Sequence, residues 1–307
     1  MNYRLLQKGI NTIFFGNLFI GFCAVALCIE TNLQRGLALN HFQFYSIVFC
    51  ATVFYYTYLF SSNLPNKIVN SRMSWYKSNF KKISYAQWIV LILIVLNIAY
   101  FLWNYHSNIS RIPIQYFWVI MIFTTVGFAY NFRIFSFLGI PNLRTFGWLK
   151  PIVIGFVWSG IVSVFPVIFA QIEDPTNLIA VKSPFDLLWL KNLMFVSTIC
   201  IMFDLKDYEE DKEQQLQTFA VKFGVEQTIK WIIIPLAIFG ILSFLKFTLQ
   251  HQFPIIRILV NTIPYIFLLI TAFSLRKQRS IIYYLFLIDG LMLIKAICGI
   301  SGMLLIK

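Results

Sequence analysis

Charge is what this 307-residue chain has least of, and acid is the scarcer half of it. Charged residues make up 12% of the sequence, only 12 residues are Asp or Glu, and none of these lies between Glu30 and Glu173. With 59% hydrophobic residues, 18% aromatics and a mean hydropathy of +0.74, there is too little polar surface to coat a soluble globule of this size. That excludes a soluble fold and leaves an integral membrane protein. Histidine is scarce as well, with three in all, and Cys23, Cys28, Cys50, Cys200 and Cys298 contain no CxxC pair. The cysteines fall inside apolar runs and read as small buried side chains, not as a disulfide or metal set.

What the sequence does have is nine apolar stretches, at 11–29, 42–60, 85–104, 113–132, 149–171, 187–203, 230–248, 256–274 and 281–306. Each approaches the ~20 residues a helix needs to cross a bilayer, and only helices satisfy their own backbone there without closing into a barrel. The expectation is an all-α polytopic membrane protein with nine transmembrane helices. The first stretch follows Arg4 and Lys8 but lacks a small-residue cleavage site, so it reads as a retained helix leading to a short outer loop with Glu30 and Arg35. The net charge of +13 sorts by loop, 17 Lys or Arg on the side of the N-terminus against 7 opposite. The positive-inside rule then puts the N-terminus in the cytoplasm and the C-terminus outside. The basic excess reports topology and contact with anionic membrane lipid, and calls for no nucleic acid.

Half of all the carboxylates fall within ten residues, Asp204 to Glu213. Asp204, Asp207 and Asp211 stand at i, i+3 and i+7, so a helix continuing through them carries all three on one face. Such a set suits Mg2+, a hard cation that takes oxygen ligands; a solvated acidic loop flanked by Lys206 and Lys212 is the plainer reading. Loop 61–84 holds no acid but carries Lys67, Arg72, Lys77, Lys81 and Lys82, either as ordinary positive-inside charge or as a landing surface for a phosphorylated substrate. Lys150 and Pro151 suit the start of the fifth span. Pro235 and Pro264 are expected to bend the seventh and eighth spans. The acids of 172–186 read as ordinary solvation. Asp289, inside the last span, is expected to bond a neighbouring helix, since an ionisable group in a bilayer needs a partner or a cavity. The two longest loops follow the second and sixth spans, which suggests a single domain of two related halves, about 1–140 and 141–307.

The segment Asp204-x-x-Asp207-x-x-x-Asp211, followed by Thr218-x-x-Val221-Lys222-x-Gly224, resembles the second aspartate-rich motif of the UbiA superfamily of membrane-embedded prenyltransferases. Tyr130-Asn131-Phe132-Arg133, then Leu149-Lys150 opening a helix with Gly155 and Trp158, is similar to that family's middle segment. The resemblance implies a helical bundle around a central cavity. It also implies transfer of a polyprenyl group from its diphosphate to an often aromatic, lipid-soluble acceptor, with Mg2+ as cofactor. Carried over, Asp204, Asp207 and Asp211 would hold metal, and Arg133 and Lys150 would contact diphosphate. The family's first acidic motif would fall near Thr52 to Asn66, where this chain has no acid; Asn63 or Asn66 would offer a neutral carbonyl there, and Lys67 would bind diphosphate directly.

Two other functions compete with transfer. A catalytically silent relative would bind isoprenoid lipid or scaffold partners, and the missing first motif favours it. A transporter fits the two-half layout, but its site would lie at mid-membrane and not at one mouth. A CDP-alcohol phosphotransferase is excluded, because Asp289-Gly290 is followed by Leu-Met-Leu and not by that family's signature.

Overall fold

The computed structural model describes residues 3–62, 70–131, 147–178, 185–277 and 280–305. Thirteen helices are distinguished among these residues. They are α1 (Tyr3–Phe15), α2 (Leu18–Gln34), α3 (Phe42–Ser62), α4 (Ser71–Ser78), α5 (Phe80–Ile109), α6 (Ile114–Asn131), α7 (Lys150–Glu173), α8 (Leu187–Lys206), α9 (Tyr208–Glu213), α10 (Phe219–Phe223), α11 (Val225–Gln250), α12 (Ile255–Ser274) and α13 (Ile281–Leu304). Seven of these are long and apolar enough to cross a membrane, or eight if the bent pair α1 and α2 counts as one span. The stretch expected at 113–132 forms α6, whose apolar part Ile114–Tyr130 is shorter. The chain is thus a multi-pass membrane protein.

The first span is not the straight helix expected at 11–29. It breaks at Gly16 and Asn17 with a bend of 55°. Asn17 sits in the left-handed region at φ 61°, a conformation Asn tolerates because its short side chain bonds locally. In α7 and α11 a wide π turn, Gly160–Val164 and Ile229–Ile233, comes just before Pro166 and Pro235. Proline donates no backbone hydrogen bond and clashes with the preceding turn, and the wider turn accommodates it.

Successive long helices run antiparallel. One end of the bundle gathers Asn17, Thr57, Lys150 and Asp204; the other gathers Arg35 with Asp186 and Asn40 with Glu173. These are called below the Asp204 end and the Glu30 end. α2 packs against α3, α7 and α13, and α8 against α7, α11 and α13. The middle is filled by apolar side chains such as Cys23, Leu27, Phe195, Ile199 and Ile288. α5 lies mainly on α3 and leaves large side chains such as Trp88, Ile92 and Leu96 exposed, as a lipid-facing helix does.

The Glu30 end corrects the sequence reading in two places. Glu30 is not in a loop: it lies within α2 with 1% exposure, and Lys191 of α8 and Lys295 of α13 are buried beside it. Lys295 Nζ is 2.6 Å from Glu30 Oε2 and Lys191 Nζ is 3.4 Å from Oε1. Gln34 accepts from Lys191 at 3.2 Å and donates to Asn261 of α12 at 2.8 Å. One buried network therefore joins four spans. Two of the acids of 172–186, Glu173 and Asp186, are likewise structural, while Asp174 is exposed. Glu173 accepts from Asn40 and from the His41 backbone, at 3.1 and 3.0 Å. Asp186 caps α8 by accepting from Trp189 N at 3.0 Å and pairs with Arg35 at 2.8 Å.

Candidate functional site

At the Asp204 end, α7 and α8 bring together two of the residues singled out by sequence. Pro151 occupies the first turn of α7, where its missing N–H costs nothing, and this starts the helix at Lys150. The two helices approach closely because Gly155 has no side chain. A Cβ there would lie 2.1 Å from Ser197 Oγ. Lys150 Nζ consequently reaches Asp204 Oδ1 at 2.6 Å. Asp204 is fully buried, and its Oδ2 has no hydrogen-bond partner among the described residues. A buried carboxylate oxygen without a partner is costly, so this one is poised for a cation or a donor from a ligand.

The helical run through the acidic stretch is interrupted. α8 ends at Lys206, Asp207 stands at φ −90° and ψ 12°, and α9 follows. The three aspartates therefore do not share a straight face. Asp207 is half-exposed and its carboxylate pairs with the adjacent Lys206. Asp211 turns inward, is buried, and keeps Oδ2 without a partner among the described residues. Burial pushes its carboxyl above the ordinary range, while the Lys150 charge and the Thr218 hydroxyl pull it the other way. Thr218 also caps α10, accepting from Val221 N at 3.3 Å, which explains why the acidic stretch is followed by Thr-x-x-Val.

A second polar cluster lies at the same end and was not anticipated as a unit. Arg72 of α4 is buried, not part of an exposed basic surface. Its Nη2 donates to Asn17 Oδ1 at 2.6 Å, and its guanidinium lies 3.5 Å from the centre of the Phe60 ring. Burial lowers its pKa from the ordinary value, and its Nε has no partner among the described residues. Asn17 Nδ2 donates to Thr57 and to Tyr76, both at 3.0 Å, so the break in the first span is held by three side chains from α3 and α4. Asp289 of α13 is buried. Its bond to a neighbouring helix runs through its backbone carbonyl, which accepts from the Cys23 thiol at 3.6 Å. The carboxylate Oδ1 has no partner among the described residues. Between the clusters, Trp158 Nε1 donates to Tyr56 Oη at 2.8 Å.

Lys67, Asn63, Asn66 and Arg133 lie outside the described residues. Asn17 and Tyr76 carried no signal in a single sequence. Glu30, Lys191 and Lys295 did, as ionisable residues beside or within apolar runs. Among the described residues no group of three or more His, Cys, Asp or Glu side chains converges on a metal-sized site. Beside Lys150 the donors are two buried carboxylates, Asp204 and Asp211, each with one oxygen that has no partner among the described residues. No protein-family model matches the chain, and no curated protein or solved structure matches it.

Proposed function

We propose that this chain is a membrane-embedded prenyltransferase of the UbiA type. It would move a polyprenyl group from its diphosphate to a lipid-soluble, often aromatic acceptor, with the Asp204 end in the cytoplasm, the N-terminus inside and the C-terminus outside. The observation that carries this reading is the pair of buried carboxylates, Asp204 and Asp211, that keep unpartnered oxygens beside Lys150. In this reading Lys67 and Arg133 add positive charge for the diphosphate, and Asn63 or Asn66 stands where the first acidic motif is missing.

Asp204 and Asp211 fit one Mg2+ shared with phosphate oxygens, since this ion commonly takes one or two carboxylates plus substrate phosphates. Asp207, held by Lys206, is the weaker candidate ligand. Bound there, Mg2+ would neutralise charge developing on the leaving diphosphate. Lys150 orients Asp204 and presents its own charge to the same group. The faces of Tyr56 and Trp158 would stabilise an allylic cation by cation–π attraction, and the apolar side chains around them exclude water. In the transfer the allylic C–O bond breaks with its electron pair going to the diphosphate. The acceptor carbon would form the new bond and lose a proton, which the departed diphosphate, itself a base, would take up.

The test is binding of a polyprenyl diphosphate to the purified chain with and without Mg2+. Wild type should bind in a Mg2+-dependent manner, chelation should weaken binding at least ~10-fold, and Asp204→Asn combined with Asp211→Asn should remove the dependence. Binding that ignores both Mg2+ and the substitutions would end this reading. The second reading, a silent protein that only holds isoprenoid lipid or scaffolds partners, is favoured by Lys150 and Lys206 already occupying Asp204 and Asp207. It predicts binding without transfer to any hydroxylated aromatic acceptor.

A further inference from the structure

α1 begins where the hydrocarbon of the bilayer ends. The 17 residues of α2, Leu18–Gln34, measure about 26 Å at 1.5 Å per residue, against a hydrocarbon core of roughly 30 Å. One end of α2 meets the polar layer of Asn17, Thr57 and Arg72, and the other meets that of Arg35 and Asp186. α2 therefore crosses the membrane by itself. At Asn17 the chain bends by 55° into α1, which lies beyond the polar layer of the Asp204 end.

α1 is nonetheless not built for water. Leu6, Ile10 and Ile13 stand at i, i+4 and i+7, on a single face, and with Leu5 they are 43 to 63% exposed. Lys8, Asn11 and Phe15 follow at i, i+3 and i+7 on the opposite face, which turns toward α4. Phe15 is buried, its ring lies 5.9 Å from that of Trp75, and its carbonyl accepts from Tyr76 Oη at 2.8 Å. The same last turn carries Phe14, whose ring lies 5.9 Å from Phe286 of α13. An apolar face turned away from the protein, on a helix placed outside the hydrocarbon, is the pattern of a helix lying in the interface plane.

The charge beside it selects the headgroup. Phe15 shares an apolar cluster with Tyr76 and with Ile83 of α5, and Lys81 and Lys82, just before Ile83, are exposed. Lys81, Tyr85 and Trp88 stand at i, i+4 and i+7, with both rings exposed. Tyr and Trp gather at the membrane–water interface, which sets Lys81 one turn to its water side. Lys8 is exposed on α1. No acid lies in α1, α3, α4 or α5 to neutralise these cations. Anionic phospholipid complements them, and each Lys near such a surface strengthens binding roughly 5-fold.

We infer that α1 lies in the headgroup layer at the Asp204 end, with Leu6, Ile10 and Ile13 in the acyl boundary, and that Lys8, Lys81 and Lys82 hold anionic phospholipid there. This lipid site is separate from the carboxylates beside Lys150, and it stands whether or not the chain transfers a prenyl group.

Two measurements on the full chain in nanodiscs test it. Cys298→Ser removes the one native cysteine that is not buried. In that background a fluorophore is attached at Leu6→Cys, Ile10→Cys or Ile13→Cys and quenched by phospholipids carrying a nitroxide at a shallow or a deep acyl position. Shallow quenching of equal strength at all three positions is expected. Quenching by aqueous iodide alone would put α1 in water, and depth that increases from Leu6 to Ile13 would make it part of a membrane span; either result overturns the inference.

The second measurement compares spin-labelled phosphatidylglycerol with spin-labelled phosphatidylcholine. Wild type should retain the anionic lipid at least ~5-fold more strongly, high salt should weaken that preference, and the triple variant Lys8→Gln, Lys81→Gln, Lys82→Gln should lose it. Equal retention of the two lipids by wild type, or a preference unchanged in the variant, would overturn the anionic site. A wild-type preference that ignores salt would do the same, so the test does not depend on how well the variant folds.

Discussion

Lys295 Nζ stands 2.6 Å from Glu30 Oε2, with both side chains at most 3% exposed and 265 residues apart in the chain. Lys191 approaches the other carboxylate oxygen at 3.4 Å and lies 4.5 Å from the centre of the Phe244 ring. One carboxylate thus serves two buried ammonium groups, and removing it leaves both uncompensated. Glu30→Gln should cost about 3–5 kcal/mol, the range for breaking a buried pair from one side. Denaturant unfolding in mixed micelles measures this. The triple variant with Lys191→Met and Lys295→Met should recover most of the loss, and no recovery would mean that the network acts through something other than its charge.

Gly299 should be intolerant for a related reason. A Cβ at that position would lie 2.4 Å from Glu30 Cγ, so Gly299→Ala must displace the carboxylate or part α2 from α13. Overpacking of this kind typically costs 1–3 kcal/mol. Gly290, on the same helix, has nothing within 4 Å of an added Cβ, and Gly290→Ala serves as the matched control with little change expected in melting temperature.

Arg72→Lys should be non-conservative despite keeping the charge. A lysine cannot donate to Asn17 while laying a planar group over Phe60, so the break between α1 and α2 loses its anchor. A loss of about 1–2 kcal/mol is expected, with faster backbone hydrogen exchange confined to Phe15–Leu18. Equal exchange in the two proteins would show that Thr57 and Tyr76 hold Asn17 without help.

Asp211 gives a pH dependence with a defined sign. Burial raises its folded-state pKa above the ordinary 3.8, so the folded protein binds this proton more tightly than the unfolded chain does. Its contribution to stability is therefore unfavourable above the folded pKa, and the penalty is relieved as pH falls through that value toward 3.8. Asp211→Asn should stabilise the ligand-free chain at neutral pH, with the gain shrinking as the medium is acidified. A gain that grows on acidification would reverse the assignment. Mg2+ should narrow the difference from the other side by stabilising wild type alone.

Much of the architecture was legible because a bilayer makes a simple demand. Any run near twenty apolar residues must be a helix, and the stretches at 42–60, 149–171 and 281–306 emerge as Phe42–Ser62, Lys150–Glu173 and Ile281–Leu304. The start of α7 at Lys150 could be read from Pro151 alone. The break at Asn17 could not, because a left-handed residue leaves no mark in hydropathy, and neither could the length of α6.

The candidate site was half legible. Concentrated acid at 204–213 pointed to one end of the bundle, and Asp204 and Asp211 do turn inward there. Asp207 does not, because the helix stops at Lys206 and the chain turns before α9 begins.

By itself the sequence determined that this protein is a helical membrane protein with its acid gathered at one point, since composition and run length fix how a chain partitions between water and lipid. Only the tertiary structure decided which charges meet. Glu30, Lys191 and Lys295 come from three helices, Asn17, Arg72 and Thr57 from a helix break and two helices, and Lys150 reaches Asp204 only because Gly155 lets two helices close. Partnerships across helices depend on rotation and approach distance, which no local pattern of residues encodes.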